Sequence, residues 1–267
     1  MDLTFIIPTR IESEDRLRNI ISSVSYLLKH LDAKVIVKEV APHHTFLHRA
    51  LPEIKKYTDT SNLTCLFEET QQPLFCKSKV LNDLIVAADT KFVANYDADC
   101  ILPLSSYHEA YDILATDKAD IVYPYQCGIY QWKADFDMDI YNLFTYKLST
   151  DVLDCNKTIS NSTIGWTQFV NRQKYIDSYM MNENFVSWGC EDDEFYFRMS
   201  TLGNRIARVN NYVYHLEHSR THNSWFSNPS FNSNWNLWNT IKTFDKDKLV
   251  QYYEGQEYLK IRKKQLA

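Results

Sequence analysis

Three short stretches carry side chains that could do chemistry together: Asp97-Ala98-Asp99, Glu191-Asp192 and His215-Leu216-Glu217-His218. Two acids in D-x-D spacing at a strand end can hold a hard divalent metal with one carboxylate and a ribose with the other. Mn2+ and Mg2+ both take carboxylate oxygen, and Mn2+ also accepts imidazole. Such a metal offsets the charge that builds on a departing diphosphate. The second acid pair offers a general base, which must come within about 3 Å of the proton it removes from an acceptor hydroxyl. Each stretch also has an ordinary explanation. Two acids after a strand can simply cap a turn, and for Asp97 and Asp99 alone the two readings stand level. Acids in a first helical turn complement the helix dipole, and a lone histidine is usually satisfied or exposed. Two imidazoles three positions apart after a strand weigh more than one. The H-L-E-H order is not the H-E-x-x-H pattern of zinc proteases.

The elements around these stretches alternate in type. Leu3 to Ile7 is an apolar run ending at Pro8 and reads as a buried strand. Leu17, Ile20, Ile21, Val24, Leu27, Leu28 and Leu31 recur at helical spacing and predict a helix over about 14 to 31. Strands follow at Val35 to Val40 and Leu63 to Phe67, then a helix around Val80 to Ala88. Phe92 to Asn95 is a strand running straight into Asp97, followed by a helix near 104 to 115 and a strand at Asp120 to Tyr123. This rhythm predicts an α/β fold with a mostly parallel central sheet flanked by helices. Ligands of such sheets sit at the carboxyl ends of the strands, where Asp97 and Asp99 fall. The second half is less regular. Residues 125 to 162 read as an insertion or loop-helix segment. Helices are expected near 171 to 180 and 191 to 201, and a strand from Arg205 to Tyr214. Ser224 to Trp238 reads as an ordered binding loop or a poorly defined tail.

Composition narrows the classes. The net charge of −5 leaves no electrostatic footprint for nucleic acid. Glycine occurs only 5 times, and neither a P-loop nor a G-x-G-x-x-G loop is present. The 18 Tyr, 14 Phe and 6 Trp are compatible with stacking on sugar rings as well as with core packing. Six cysteines without C-x-x-C spacing read as reduced, mostly buried thiols. No apolar run reaches the ~20 residues of a membrane span, and the N-terminus reads without a secretory signal. Chance then explains the Asn-x-Thr sequons at Asn62, Asn156 and Asn161.

With these residues in view, the sequence resembles the GT-A fold glycosyltransferases, in particular the β-1,4-galactosyltransferase-like group and its relatives among chondroitin-type polymerases. The likeness runs as ordered motifs through residues 3 to 222. Ile6-Ile7-Pro8-Thr9-Arg10 resembles the first-strand P-x-R segment, which implies nucleotide contacts for Pro8 and Arg10. Phe75-Cys76-Lys77-Ser78-Lys79-Val80-Leu81-Asn82 is similar to F-N-R-A-K-x-x-N, placing Lys77, Lys79 and Asn82 near the nucleotide, with Lys77 where Arg is usual and Cys76 where Asn is usual. Ile164-Gly165 resembles a Gly-Gly pair with one Gly replaced. Trp188-Gly189-Cys190-Glu191-Asp192-Asp193-Glu194 resembles W-G-G-E-D-D-D with two departures, and is the most specific of the motifs. The resemblance implies that Asp192 is the catalytic base and that Glu191 contacts a sugar. It puts Trp188, with Gly189, on a loop closing over the donor, and Gly165 in the substrate site. It also implies that Asp99, His215 and His218 of His218-Ser219-Arg220 ligate Mn2+ while Asp97 lies by the ribose. His215 stands where animal galactosyltransferases have Met; a nitrogen donor is harder than a thioether, so Mg2+ is expected to serve as well.

The expectation is thus an inverting, metal-dependent hexosyltransferase moving a hexose or N-acetylhexosamine from a UDP-sugar to an oligosaccharide or lipid-linked glycan in surface polysaccharide synthesis. Residues 1–222 would form the catalytic domain, with a nucleotide half over 1–124 and an acceptor half over 125–222. Residues 223–267 would be an extension packed on it. The rivals are a catalytically degenerate sugar- or nucleotide-binding protein of the same fold, and a sugar nucleotidyltransferase, which usually carries a Gly-rich first loop. Localisation is expected in the bacterial cytoplasm. The cationic tail of Lys260, Arg262, Lys263 and Lys264 either touches an anionic inner-membrane surface or, more commonly for such runs, is a solvated helix face.

Overall fold

All seven residues of the first strand are buried, as expected of an apolar run covered on both faces of a sheet. The computed structural model describes residues 1–160 and 163–266, without the side chains of Cys155 and Asn156. The sequon residue Asn161 lies outside the described residues. The chain runs β1 (Leu3–Thr9), α1 (Glu14–His30), β2 (Lys34–Ala41), a π-helical turn (Phe46–Ala50) continuing into α2 (Leu51–Tyr57), β3 (Leu63–Glu69), α3 (Lys77–Ala87) and β4 (Phe92–Tyr96). It continues through β5 (Cys100–Ile101), α4 (Leu104–Ala115), β6 (Ile121–Tyr123), β7 (Gln131–Ala134), α5 (Met138–Lys147), β8 (Lys157–Ile159), β9 (Thr167–Asn171) and α6 (Arg172–Asp177). The remaining elements are α7 (Glu191–Thr201), β10 (Ile206–Arg208), β11 (Val213–Leu216), α8 (Phe231–Ile241), α9 (Lys246–Glu254) and α10 (Glu257–Leu266).

The main sheet has the order β10-β6-β9-β4-β1-β2-β3. It is mixed: every neighbouring pair is parallel except those involving β9, which runs antiparallel to both β4 and β6. The reversal matters for the site. Because Tyr96 at the end of β4 pairs with Thr167 at the start of β9, the residues just before β9 stand beside those just after β4. Trp166 therefore meets Asp97. A second, four-stranded sheet has the order β5-β11-β7-β8. Its β11–β5 pair sets His215 opposite Cys100, and so next to Asp99.

Several expectations for the second half change. The stretch 205 to 214 is two strands in two sheets rather than one. The segment 125 to 162 contains β7, α5 and β8. The helix expected over 171 to 180 spans only Arg172–Asp177, preceded by β9. Its end is enforced by Tyr179 and Met180, which both adopt positive φ. The segment from Ser224 is neither loop nor tail throughout, since Phe231–Ile241 is helical. Its pattern alternates asparagine with aromatic residues and lacks an aliphatic stripe, which hid the helix. Its buried Ile241 joins Phe185, Leu249, Tyr253 and Leu259 in a small cluster under α8, α9 and α10.

Charge pairing fastens this C-terminal part to the sheet helices. Arg198 on α7 is fully buried, donates to Glu194 at 2.8 Å and to the Met180 carbonyl at 2.6 Å, and also bonds the Ser178 carbonyl. Tyr253 of α9 donates to the same Glu194. Arg262 of α10 is buried and pairs with Asp83 and with Glu183 at 2.7 Å. The cationic tail is thus not four free charges: Arg262 points inward and Lys260 pairs with Glu257 at 2.8 Å. No helix among the described residues is long and apolar enough to cross a membrane. The cysteines also differ from expectation. Of the five described, all free, only Cys100 is buried and Cys127 is exposed.

Candidate active site

The carboxyl ends of β1 and β4, the start of β9 and the start of α7 surround a cleft that opens to solvent. The Asp97–Asp99 turn is held from three sides. Asp97 N–H donates to the Trp166 carbonyl at 2.9 Å, Ser23 Oγ of α1 donates to the Ala98 carbonyl at 2.8 Å, and the Asp99 carbonyl accepts Leu216 N–H at 2.7 Å. Asn19 of α1 donates to the Leu216 carbonyl at 2.8 Å, so the same helix steadies the turn and the histidine strand. Asn19 Nδ2 and Ser23 Oγ, on the buried face of α1, thereby both find partners.

Asp99, His215 and His218 bring one ligand atom each to within 4.8 Å of one another. His218 Nε2 is 2.9 Å and His215 Nε2 is 3.7 Å from Asp99 Oδ2. The outer nitrogens are engaged: His215 Nδ1 lies 2.8 Å from Glu217 Oε1, and His218 Nδ1 lies 2.9 Å from the Ser219 carbonyl. A carbonyl can only accept, so His218 Nδ1 donates to it and Nε2 is left facing Asp99 and the cleft. A histidine anchored at one nitrogen by a carboxylate or carbonyl and free at the other is the usual support of a metal ligand. Burial works against ionisation of Asp99, yet the two imidazoles outweigh it and hold its carboxyl well below the ordinary range. One carboxylate and two imidazoles suit Mn2+, so the residues fit a divalent metal.

A second cluster lines the same cleft. Lys77, at the first position of α3, sets its Nζ 2.9 Å from Asp97 Oδ1 and 3.6 Å from Asp192 Oδ2. Burial opposes its charge, but Asp192, Asp97 and Glu191 together raise its pKa well above the ordinary lysine value. Burial pushes Asp97 up to about 6 despite Lys77. Burial, then the neighbouring Asp192, pushes Glu191 up to about 7. Asp192 is the second residue of α7, and a Cβ at Gly165 would collide with its carboxylate.

The Trp188 loop is built from unusual backbone. Ser187, Gly189 and Cys190 have φ of 61°, 120° and 67°. Gly189 suits that region; Ser187 and Cys190 are held there against preference. The asparagines of the C-terminal segment do the holding. Asn234 pairs with both the N–H and carbonyl of Val186 and donates to the Trp188 carbonyl at 3.1 Å, while Asn228 donates to Ser187 Oγ at 2.7 Å. Asn223 accepts from Phe75 N–H at 2.9 Å and from Ser187 Oγ at 3.1 Å.

The structure brings Pro8, Arg10, Lys77, Asp97, Asp99, Gly165, Trp188, Glu191, Asp192, His215 and His218 to this one cleft. Three expected residues stand outside its lining. Lys79 faces Glu68 at 3.3 Å on the other side of α3. Asn82 is buried and clamps Met181, accepting its N–H at 2.8 Å and donating to its carbonyl at 2.9 Å. Gly189 serves the loop's conformation, with its N–H on Glu191 Oε2 at 2.9 Å. Arg10 lines the cleft but spends most of its guanidinium on the Val40, Gln72 and Pro73 carbonyls, fixing the loop that leads to Phe75 and Lys77. Sequence reasoning missed Arg16, Asn19 and Trp166. Trp166 packs at a tilt against His215, with centroids 5.4 Å apart and 31° between planes. The first two sit on α1 among ordinary helix positions and carried no signal; Trp166, adjoining Gly165, could have been found by extending that motif.

Residues 154–219 match the family described as the N-terminal domain of galactosyltransferase. The matched segment holds Gly165, Trp188, Glu191, Asp192, His215 and His218. No curated protein sequence matches the chain. Among solved structures, S. aureus TarS 1-349 in complex with UDP-GlcNAc is similar with a TM-score of 0.60 and 14% identity, over 100% of this chain and 71% of that one. S. aureus TarS 1-349 also matches with a TM-score of 0.53 and 16% identity, over 81% of this chain and 60% of that one. GalNAc-T7 with UDP, GalNAc and Mn2+ matches with a TM-score of 0.61 and 12% identity, over 98% of this chain and 54% of that one. The chain therefore spans 60% of the length of the TarS 1-349 chain and about half of the GalNAc-T7 chain. At these identities the likeness is one of fold. The chain has the GT-A fold of these structures, with a segment matching the galactosyltransferase family model lining its cleft.

Proposed function

We propose that the protein is an inverting, metal-dependent glycosyltransferase that moves a hexose or N-acetylhexosamine from a UDP-sugar to a hydroxyl of an oligosaccharide or lipid-linked glycan. One observation carries the reading: the Asp99–His215–His218 triad and the Lys77–Asp97–Asp192 cluster line a single cleft. Asp99, His215 and His218 would hold the metal, preferably Mn2+. When bound, a divalent ion there supplies neutralising charge to the departing diphosphate.

The rest of the chemistry belongs to side chains. Arg10, Arg16 and Asn19 line the cleft, and Arg10 Nη2, Arg16 Nε and Asn19 Oδ1 are buried with no partner among the described residues. The two unsatisfied guanidinium donors suit a diphosphate, and the Asn19 oxygen is free to accept from a hydroxyl or an N–H of the same ligand. Asp97 is placed for the ribose, and Trp188 covers the sugar. Asp192 removes the acceptor proton as the hydroxyl oxygen attacks the anomeric carbon opposite the diphosphate. The bond to the diphosphate breaks as the new glycosidic bond forms, so the anomeric configuration inverts. Lys77 keeps Asp192 oriented and offsets its charge.

The test is direct. UDP binding is titrated with and without Mn2+, and transfer is followed by UDP release and by NMR of the product anomer. Asp99→Ala is expected to remove the metal-dependent part of UDP binding. Asp192→Asn is expected to abolish transfer while leaving UDP binding in place. Transfer surviving in Asp192→Asn, or a product that retains the donor's configuration, would falsify the base assignment. A wild-type protein that binds UDP and Mn2+ yet neither transfers nor hydrolyses any UDP-sugar would be a binding protein instead.

A further inference from the structure

Beside the cleft lies a group of aromatic side chains that the reaction does not use. Trp225, Phe226 and Trp235 are 47%, 60% and 47% exposed, unusual for three large rings placed together. They are continuous with the cleft wall. Trp188, which lines the cleft, meets Phe226 edge-on at 5.1 Å and stacks on Phe231 at 5.6 Å with 24° between planes. Phe231 in turn stacks on Trp235 at 6.3 Å and 23°, and Trp225 meets Phe226 at 5.3 Å. Trp188, Phe231 and Trp235 thus form a ladder of nearly parallel rings leading outward. Asn223 and Ser224, immediately before Trp225, line the cleft themselves.

We propose that Trp225, Phe226 and Trp235 form a stacking subsite that holds acceptor sugars beyond the one that reacts; this rests on the transferase reading above. The surroundings favour a saccharide. An indole face matches the apolar C–H face of a sugar ring, and the hydroxyls at the ring's edge need hydrogen-bond partners. On α8 the exposed Trp235 is flanked at helical spacing by Asn232 and Asn239, three residues before and four after, on the same face. Asn236 and Ser233 are exposed beside them. Amides supply donors and acceptors at once.

The same features disfavour a membrane. An interfacial helix presents aliphatic residues on one face and a strongly charged other face, rich in lysine and arginine. Helix α8 has no charged residue, and the exposed large hydrophobics of this stripe are all aromatic. Its two neighbouring cations sit on individual rings, Arg220 at 5.8 Å from Trp225 and Lys242 at 5.9 Å from Trp235. The platform is also held in place, since Asn234 and Asn228 tie its two halves to the Trp188 loop. Preformed rings lose little freedom on binding, which favours affinity.

The probe is an array of defined neutral and acidic oligosaccharides graded by length, read for binding to full-length protein saturated with UDP and Mn2+. The best series is then titrated against wild type, Trp225→Ala, Trp235→Ala and their Phe counterparts. Hydrolysis of UDP-sugar without acceptor is measured on the same samples, as is sedimentation with phosphatidylcholine vesicles with and without phosphatidylglycerol. Wild-type affinity is expected to rise with chain length. Each Ala variant should lose about tenfold for the longer members, the Phe variants should recover part of it, and monosaccharide binding and donor hydrolysis should be unchanged. No gain with length in the wild type overturns the proposal, as do Ala variants that bind long oligosaccharides normally. Loss of vesicle binding with saccharide binding intact overturns it in favour of a membrane. Because binding is read without turnover, failure of donor hydrolysis with length-dependent binding preserved would sink the transferase reading and leave the subsite standing.

Discussion

Gly165→Ala separates the position of Asp192 from its chemistry. The backbone at Gly165 is not in the left-handed region, so alanine fits the main chain. The difficulty is in front of it: a Cβ there would overlap Asp192 Oδ2 and lie 3.1 Å from Asp192 Cγ, with Thr163 Oγ1 at a comfortable 3.7 Å. Carbon contacts settle at about 3.5–4.0 Å, so Cγ must withdraw by roughly 0.4–0.9 Å, and the carboxylate oxygen by more. The carboxylate is the free end of a short side chain facing an open cleft, so it can swing aside. The effect on stability should be less than about 1 kcal/mol in either direction. Catalysis is less forgiving: a misplacement of about 1 Å is worth roughly a hundredfold in rate. The expected result is transfer slowed about 10- to 100-fold, with the unfolding midpoint and Mn2+-dependent UDP affinity near wild type. Steady-state UDP release, calorimetric UDP titration and urea unfolding read the three quantities. Wild-type transfer by Gly165→Ala would refute the reasoning, because it would mean that the Asp192 carboxylate can be displaced without consequence.

Other perturbations probe the frame and the metal. Arg198→Ala leaves Glu194 buried without its cation and should cost about 3–5 kcal/mol in urea unfolding; replacing Glu194 and Arg198 together by Leu and Met should cost less, and the reverse order would show that the pair is not the cause. Glu39 is fully buried, its Oε2 accepting Phe46 N–H at 2.9 Å, and burial pushes its pKa from 4.5 up to about 7. A raised carboxylate pKa favours folding at low pH and loses that contribution as pH climbs through about 7. Glu39→Gln should therefore match wild type near pH 4 and exceed it by on the order of 1–3 kcal/mol at pH 8, the gap opening between about pH 4.5 and 7; equal unfolding curves at pH 8 would contradict this. His215→Met replaces a hard donor by a soft one and should lower Mg2+-supported UDP binding relative to Mn2+-supported binding, with an unchanged ratio arguing against His215 as a ligand.

The first half of the fold was legible because its strands and helices bury apolar residues at regular spacing. Leu3–Thr9 and Phe92–Tyr96 are fully buried strands, and α1 shows its stripe plainly. In the second half the residues that gather at the cleft were legible, but the architecture that gathers them was not. β9 is five residues long, lies beside Gly165 and Trp166, and runs against its neighbours, a choice of direction that no local pattern encodes. β11 and β5 are four and two residues long and take their place from each other. The asparagines of 223 to 239 looked like loop composition, yet Asn223, Asn228 and Asn234 satisfy the backbone of the strained Trp188 loop. Their partners lie 36 to 48 residues away along the chain, out of reach of periodicity.

The three departures from the family pattern bear differently on whether the cleft can work. Cys76 precedes α3 and makes no side-chain cap, so the change from Asn forgoes a capping bond worth about 1 kcal/mol and leaves Lys77 in place. Ile164 is partly buried against the core, whereas the glycine that touches the site is Gly165, and it is kept. Cys190 is the demanding case. It caps α7 at a φ of 67°, where glycine would be at ease and a side chain costs about 1–2 kcal/mol. That residue sets the direction in which Glu191 and Asp192 enter the helix. The strain is absorbed by surrounding contacts: Gly189 N–H on Glu191, Asn234 on the Trp188 carbonyl, and Cys190 itself set against the small cluster under α8 and α9. The replaced glycine is thus at a position where backbone freedom is substituted by tertiary contacts, while the retained glycine is where no substitute exists because a carboxylate fills the space.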